Sequence, residues 1–158
     1  MPINRGYYKA GKIKWVYAYD ESNWPVHEQI QELEEDNIVF VDTFNCGNRA
    51  IFGELVSKYI LLYRQSRAIV INGNMRDAAA LIRENWPIWC KGLNPVGCFN
   101  RKPDKPFNEE QRQKNYEKYD GAIAVCDDCG VVIIPKDRIN EEFYHCLLYT
   151  SPSPRDTR

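Results

Sequence analysis

The chain has little histidine, almost no charge imbalance and no long apolar run, and each shortage removes a class of function. Its 158 residues hold two histidines, His27 and His145. A Ser-His-Asp or Cys-His nucleophile system would need one of them, and neither stands near a nucleophile elbow. Basic residues number 21 and acidic residues 22, for a formal charge of −1. That balance supplies no general attraction to nucleic acid or to an anionic membrane, so neither is expected as a direct partner. The longest apolar stretches, such as 122–125 and 131–134, fall far short of the roughly 20 residues a membrane helix needs. The N-terminal MPINRGYYKAGK lacks the apolar core of a secretory signal. Neither a P-loop nor a GxGxxG turn occurs, which argues against nucleotide-dependent chemistry. What remains is ordinary: 44% hydrophobic and 27% charged residues, the balance of one globular domain expected to be soluble and cytoplasmic.

The C-terminus stands apart. CLLYTSPSPRD at 146–156 looks like the in-frame translation of a transposase adapter used in sequencing libraries. Composition alone would also permit a native Ser/Pro-rich tail. The expectation is a native domain over 7–145, truncated at its C-terminus, followed by a non-native tail over 146–158.

Within that domain, KIKWVYAY at 12–19 has the β-branched and aromatic content of a strand. Pro25 suits a first helical turn, and Val26, Ile30 and Leu33 repeat as one apolar helix face. IVFV at 38–41 and RAIVI at 67–71 are continuous apolar runs of buried-strand length. Helices are expected over about 50–64 and 75–83, and a brief strand at 87–90. The polar stretch 103–119 has the charge spacing of an exposed helix, and strands at 122–125 and 131–134 flank a turn, as in a hairpin. A last helix begins near Asp137. Strands interleaved with helices, then a hairpin, predict a mixed α/β domain.

The most informative stretch is AIVINGNMRDAAA at 68–80. A buried strand runs into Asn72-Gly73, and Arg76-Asp77 sit at the start of the next helix. A guanidinium, a carboxylate and free helical N–H groups then share one mouth beyond a strand end, where α/β sheets bind ligands. Arg can grip a carboxylate or an enolate through two donors, and Asp can hold a divalent cation directly or through water. The plainer alternative is a first-turn acid favoured by the helix dipole beside a surface arginine. Gly53, before Glu54, Leu55 and Val56, could let a ligand approach the backbone of a second helix start, or serve only for packing. Cys126-x-x-Cys129 has zinc or redox spacing but lacks a matching second pair, so reduced turn cysteines are expected there.

Three segments carry a resemblance: FGELVSKYILLYRQSRAIVINGNMRD at 52–77, WPIWCKGLNP at 86–95 and DGAIAVCDDCGVVIIP at 120–135. A G-E-L helix start, a strand, G-x-x-R-D, a short strand ending in K-G-x-x-P and a D-x-x-G-V-V-x-x-P hairpin follow in that order. The set, spanning about 11–143, resembles the RraA-like family, which includes 4-hydroxy-4-methyl-2-oxoglutarate aldolases and demethylmenaquinone methyltransferase-like proteins. The resemblance implies a swivelling β/β/α-type fold with a mixed sheet flanked by helices, assembled as a homotrimer or hexamer. It implies a Mg²⁺- or Mn²⁺-dependent pyruvate aldolase or oxaloacetate decarboxylase acting on a small oxoacid. Gly53, Glu54, Leu55 and Val56 would bind the pyruvoyl carboxylate through backbone amides. Arg76 would hold the keto oxygen and stabilise the enolate, and Asp77 would anchor the metal. No Schiff base is then required, Lys91 being the nearest candidate for one. Other family members act as protein-binding regulators of a ribonuclease, so a non-catalytic regulator is the alternative, and an inactive truncated fragment a third. Two departures stand out: Asn72 where Asp is common, and a charged insert at 101–119 in place of a shorter connection.

Overall fold

Apolar runs separated by helices pair side by side in the computed structural model, which describes residues 1–149. Strands β1 (Lys9–Tyr19), β2 (Ile38–Phe44) and β3 (Ala68–Ile71) are parallel. A short pair, β4 (Asn74–Met75) and β6 (Gly92–Leu93), forms a separate sheet, and β5 (Ile88–Trp89) joins β3 in parallel. The hairpin β7 (Ile123–Asp127) and β8 (Gly130–Ile134) adds antiparallel to β1, giving the order β5-β3-β2-β1-β7-β8. The α-helices among the described residues are α1 (Trp24–Gln29), α2 (Glu54–Lys58), α3 (Ala78–Arg83), α4 (Glu109–Tyr119) and α5 (Glu141–Tyr149). The fold is thus a mixed α/β domain whose six-stranded sheet curls into a half-barrel flanked by helices. Helix α5 crosses the expected boundary at 145/146, and residues 150–158 of the expected tail lie outside the described residues.

Both faces of the central strands are buried, which explains why β2 shows no polar alternation. Val39 and Val41 face the helices with Val16, Ala18, Ile69 and Ile71, packing against Val26, Phe52, Ile60 and Leu81. Ile38 and Phe40 face the other way with Trp15, Val70 and Trp89, and the hairpin closes over them through Ala124 and Cys126. The curl brings β5 to the end of β7, where the Trp89 indole N–H donates to the Asp127 carbonyl at 2.7 Å. A cavity of about 250 Å³ remains inside it, lined by Phe40, Val70, Trp89, Val131 and Ile133 among others.

Beyond Ile13 the hairpin leaves β1, and side chains take over its outer edge. Asp120 accepts from the Trp15 N–H at 2.9 Å. The Gln29 amide both accepts from the Tyr17 N–H at 3.2 Å and donates to the Tyr17 carbonyl at 2.8 Å.

Two expected helices start late. The one expected over 50–64 begins at Glu54 and ends in a π-helical turn, Tyr59–Tyr63. Residues 50–53 are extended instead, because neighbouring segments offer them hydrogen bonds on both sides: Ala50 N–H to Val96 at 2.8 Å, and Ile51 N–H to Asn74 at 2.9 Å. The one expected over 75–83 begins at Ala78, because Asn74 and Met75 pair with Gly92 and Leu93.

The charged insert is docked, as its anchors explain. Phe107 packs on Tyr17, Tyr19 and Phe44 with ring centroids 4.7, 5.1 and 4.9 Å away. The second anchor is Asp42, only 4% exposed. Its carboxylate accepts from Trp15 Nε1 at 3.2 Å, Asn72 Nδ2 at 3.1 Å, Asn115 Nδ2 at 3.0 Å and the Thr43 N–H at 3.1 Å. Four neutral donors spread around one anion satisfy it without a cation. They also give Asn72 a reason, since a carboxylate at that position would face Asp42 and donate nothing. Asp42→Ala strands three side-chain donors and is expected to cost about 3 kcal/mol in urea unfolding, whereas Asn115→Ala removes one and costs about 1 kcal/mol. Equal losses would mean that Asp42 is not the common anchor.

Candidate active site

The Arg76-Asp77 pair follows β3 through the Asn72-Gly73 turn and β4. Arg76 is fixed at its backbone, its N–H donating to the Phe52 carbonyl at 3.2 Å. Asp77 has φ 63° and ψ 38°, a left-handed conformation that costs a non-glycine residue about 1 kcal/mol or more. It occupies the N-cap position of α3, yet its side chain makes no cap to that helix. Its Oδ2 instead accepts from the Glu54 N–H, the first helical residue of α2, at 3.0 Å. This is not the plain first-turn acid that the sequence also allowed: the carboxylate serves the other helix.

Gly53 is the residue that permits this crossing. A Cβ there would lie 2.1 Å from Asp77 Oδ2, 2.8 Å from its Cγ and 2.9 Å from Arg76 Cγ. Only hydrogen fits. The structure therefore brings Gly53, Glu54, Arg76 and Asp77 together at one exposed mouth. Leu55 and Val56 continue the first turn, whose amides lack helical acceptors, as in any helix start. Leu55 is 81% exposed. With His27, Ile30, Gln31, Tyr59 and Arg64, Leu55 and Val56 line a surface cleft of about 610 Å³. Burial in its wall lowers the His27 pKa.

Two residues that the sequence did not single out complete the mouth. The Arg76 guanidinium runs over Gly97, where a Cβ would meet Nη1 at 2.6 Å. Arg49 pins the same glycine from behind: its Nη1 donates to the Gly97 carbonyl at 2.9 Å, and its Nε meets Glu21 Oε2 at 2.5 Å. Gly97 lies two residues past the K-G-x-x-P motif that ends at Pro95, and Arg49 lies in the loop before the G-E-L start, so neither falls within a motif.

The remaining sequence candidates lie apart. Lys91 lines the cavity within the curl, beside Asn72 and Cys90, and not the mouth. Cys126 is buried in β7 while Cys129 is exposed in the turn. Burial and the nearby Asp127 push the Cys126 thiol up to about 12, so it stays protonated. Among the described residues no three His, Cys, Asp or Glu side chains cluster as a metal cage, and no helix is long and apolar enough to cross a membrane.

Comparison with known proteins agrees with this architecture. RraAS2 of Streptomyces coelicolor, an unusual member of the RNase ES inhibitor RraA protein family, superposes with a TM-score of 0.66 at 17% identity, over 92% of this chain and 74% of that one. The RNA-processing inhibitor RraA from Thermus thermophilis gives 0.65 at 18% identity, over 85% and 80%. A Geobacillus kaustophilus protein named as an S-adenosylmethionine:2-dimethylmenaquinone methyltransferase gives 0.63 at 22%, over 85% and 83%. Protein DlpA of Legionella pneumophila is 23% identical over 112 residues, covering 71% of this chain and 18% of DlpA, so the chain spans about a fifth of that relative's length. The family model described as RraA-like, Aldolase/RraA, matches residues 1–133, and the chain belongs to the RraA-like family.

Proposed function

We propose that the chain is a divalent-metal-dependent lyase of the pyruvate aldolase type. It would cleave substrates like 4-hydroxy-4-methyl-2-oxoglutarate, decarboxylate oxaloacetate, or do both. The observation that carries the reading is the Asp77–Glu54 hydrogen bond, which joins the G-E-L helix start to the Arg76-Asp77 pair. Among the described residues the Arg76 guanidinium forms no ion pair, so its charge is available to an anion.

The donor set suits a hard cation. Mg²⁺ keeps much of its hydration and takes one or two carboxylates plus substrate oxygens, and an exposed Asp77 with one oxygen turned to Glu54 offers that. Bound there, the cation would act as a Lewis acid on the oxoacid. Arg76 holds the keto oxygen and stays beside it as C–C cleavage leaves the electron pair on a pyruvate enolate. Of the Gly53–Val56 amides proposed for the substrate carboxylate, that of Glu54 already donates to Asp77, so those of Leu55 and Val56 would receive it at the positive end of α2. No histidine lies among Gly53, Glu54, Arg76 and Asp77, and proton exchange would fall to water or substrate, with His27 in the cleft wall beside Leu55 and Val56. Family members assemble as trimers, and a homotrimer or hexamer is proposed here too.

Pyruvate release from oxaloacetate and from 4-hydroxy-4-methyl-2-oxoglutarate, with and without Mg²⁺, tests the reading. Arg76→Ala is expected to lower kcat by about 10²- to 10³-fold, the usual loss for one donor to a developing oxyanion. Asp77→Ala should abolish the response to added Mg²⁺, and chelation of the wild type should do the same. If all three leave turnover untouched, the mechanism is wrong. Inhibition of a ribonuclease by a protein that turns over no oxoacid would favour the regulator instead.

Gly53→Ala is expected to match Asp77→Ala in activity, because its Cβ and the Asp77 carboxylate cannot share the same space. Wild-type Mg²⁺ dependence in Gly53→Ala would rule out that arrangement.

A further inference from the structure

We infer that Gly97, braced by Arg49, is a positioning residue for the Arg76 guanidinium. The inference rests on the proposed role of Arg76 toward an oxoacid. Arg76 has a long side chain and makes no ion pair among the described residues, so electrostatic partners do not hold its far end in one place. Shape does. At its root, Cγ lies 2.9 Å from where a Cβ on Gly53 would stand. At its tip, Nη1, Cζ and Cδ lie 2.6, 3.4 and 3.7 Å from where a Cβ on Gly97 would stand. The side chain crosses two glycines, one under each end, and lies along a course that a Cβ at either would obstruct.

Gly97 can do this because its own peptide cannot retreat. Val96 accepts from the Ala50 N–H at 2.8 Å, and the Cys98 N–H donates to the Ala50 carbonyl at 2.9 Å. Arg49 adds its bond to the Gly97 carbonyl, is tied to Glu21, and rests its guanidinium 4.5 Å from the Phe99 ring centroid. An alanine at 97 would therefore displace Arg76 and not the shelf. Nothing in the backbone of Gly97 resists alanine, since its φ lies outside the left-handed region. The atoms that must move end a flexible side chain, so folding should hardly register the change.

The test is Gly97→Ala alone and in an Arg76→Lys background, with oxaloacetate turnover and thermal unfolding measured together. The single variant is expected to melt within about 2 °C of the wild type. Its kcat should fall about 10- to 100-fold while KM changes less, because Arg76 matters most as the enolate forms. With Arg76→Lys already present, Gly97→Ala should cost nothing further, since the branch it would strike is gone. Wild-type kcat in Gly97→Ala, or an equal loss in both backgrounds, overturns the inference. If Arg76→Lys itself turns over like the wild type, the proposed role of Arg76 fails. The Arg76 Nε–H NMR resonance then decides the positioning alone: a shift in Gly97→Ala sustains it, and an unmoved signal overturns it.

Discussion

The extended segment 50–53 is the constraint on which the rest depends. Its backbone is held from both sides, with Ala50 bonded to Val96 and Cys98, Ile51 to Asn74, and Phe52 to Arg76. Its side chains are equally committed, Ala50, Ile51 and Phe52 being essentially inaccessible to solvent. A segment fixed by both its polar and its apolar groups cannot slide. It decides where α2 begins, where Arg76 leaves the small sheet, and how close Gly97 comes. The mouth thus takes its placement from the hydrophobic core, although Arg76 and Asp77 within it are exposed.

That placement carries some strain at Asp77. A left-handed aspartate is unfavourable on its own, and the bond to Glu54 offsets the cost by satisfying one orphan amide of α2. The carboxylate is therefore oriented by the protein and exposed on its other side. A group so placed suits binding that must not reorganise the site. Gly53 is the complement of this strain, for it leaves clear the space that the carboxylate occupies as it reaches across.

Much of this was legible in the sequence. The alternation of strands and helices, the β7–β8 hairpin and the Arg-Asp pair at a helix start all follow from local patterns, which periodicity and turn chemistry report well. What escaped were features decided by distant partners. Residues 50–53 look helical by composition, and only the flanking segments near 74 and 97 make them extended. The glycines show the same limit in part: Gly53 stood out at a helix start, whereas Gly97 did not, and in both the space that Arg76 or Asp77 occupies above them is visible only in the fold. Asp42 likewise gave no signal, since its donors come from β1, the turn after β3 and α4. The insert at 101–119 was legible as an exposed helix from its charge spacing, and α4 buries no residue, but its docking through three aromatic contacts of Phe107 was not.

Gln29 has a wider consequence. Where the hairpin departs, β1 would present unpaired backbone groups at Tyr17, and an open strand edge is a template on which a second chain can stack. One side-chain amide presents the same donor and acceptor as a passing peptide bond, and so works as a decoy strand one residue long. The chain can then carry a sheet that changes partners halfway along its central strand without leaving that stretch available for aggregation.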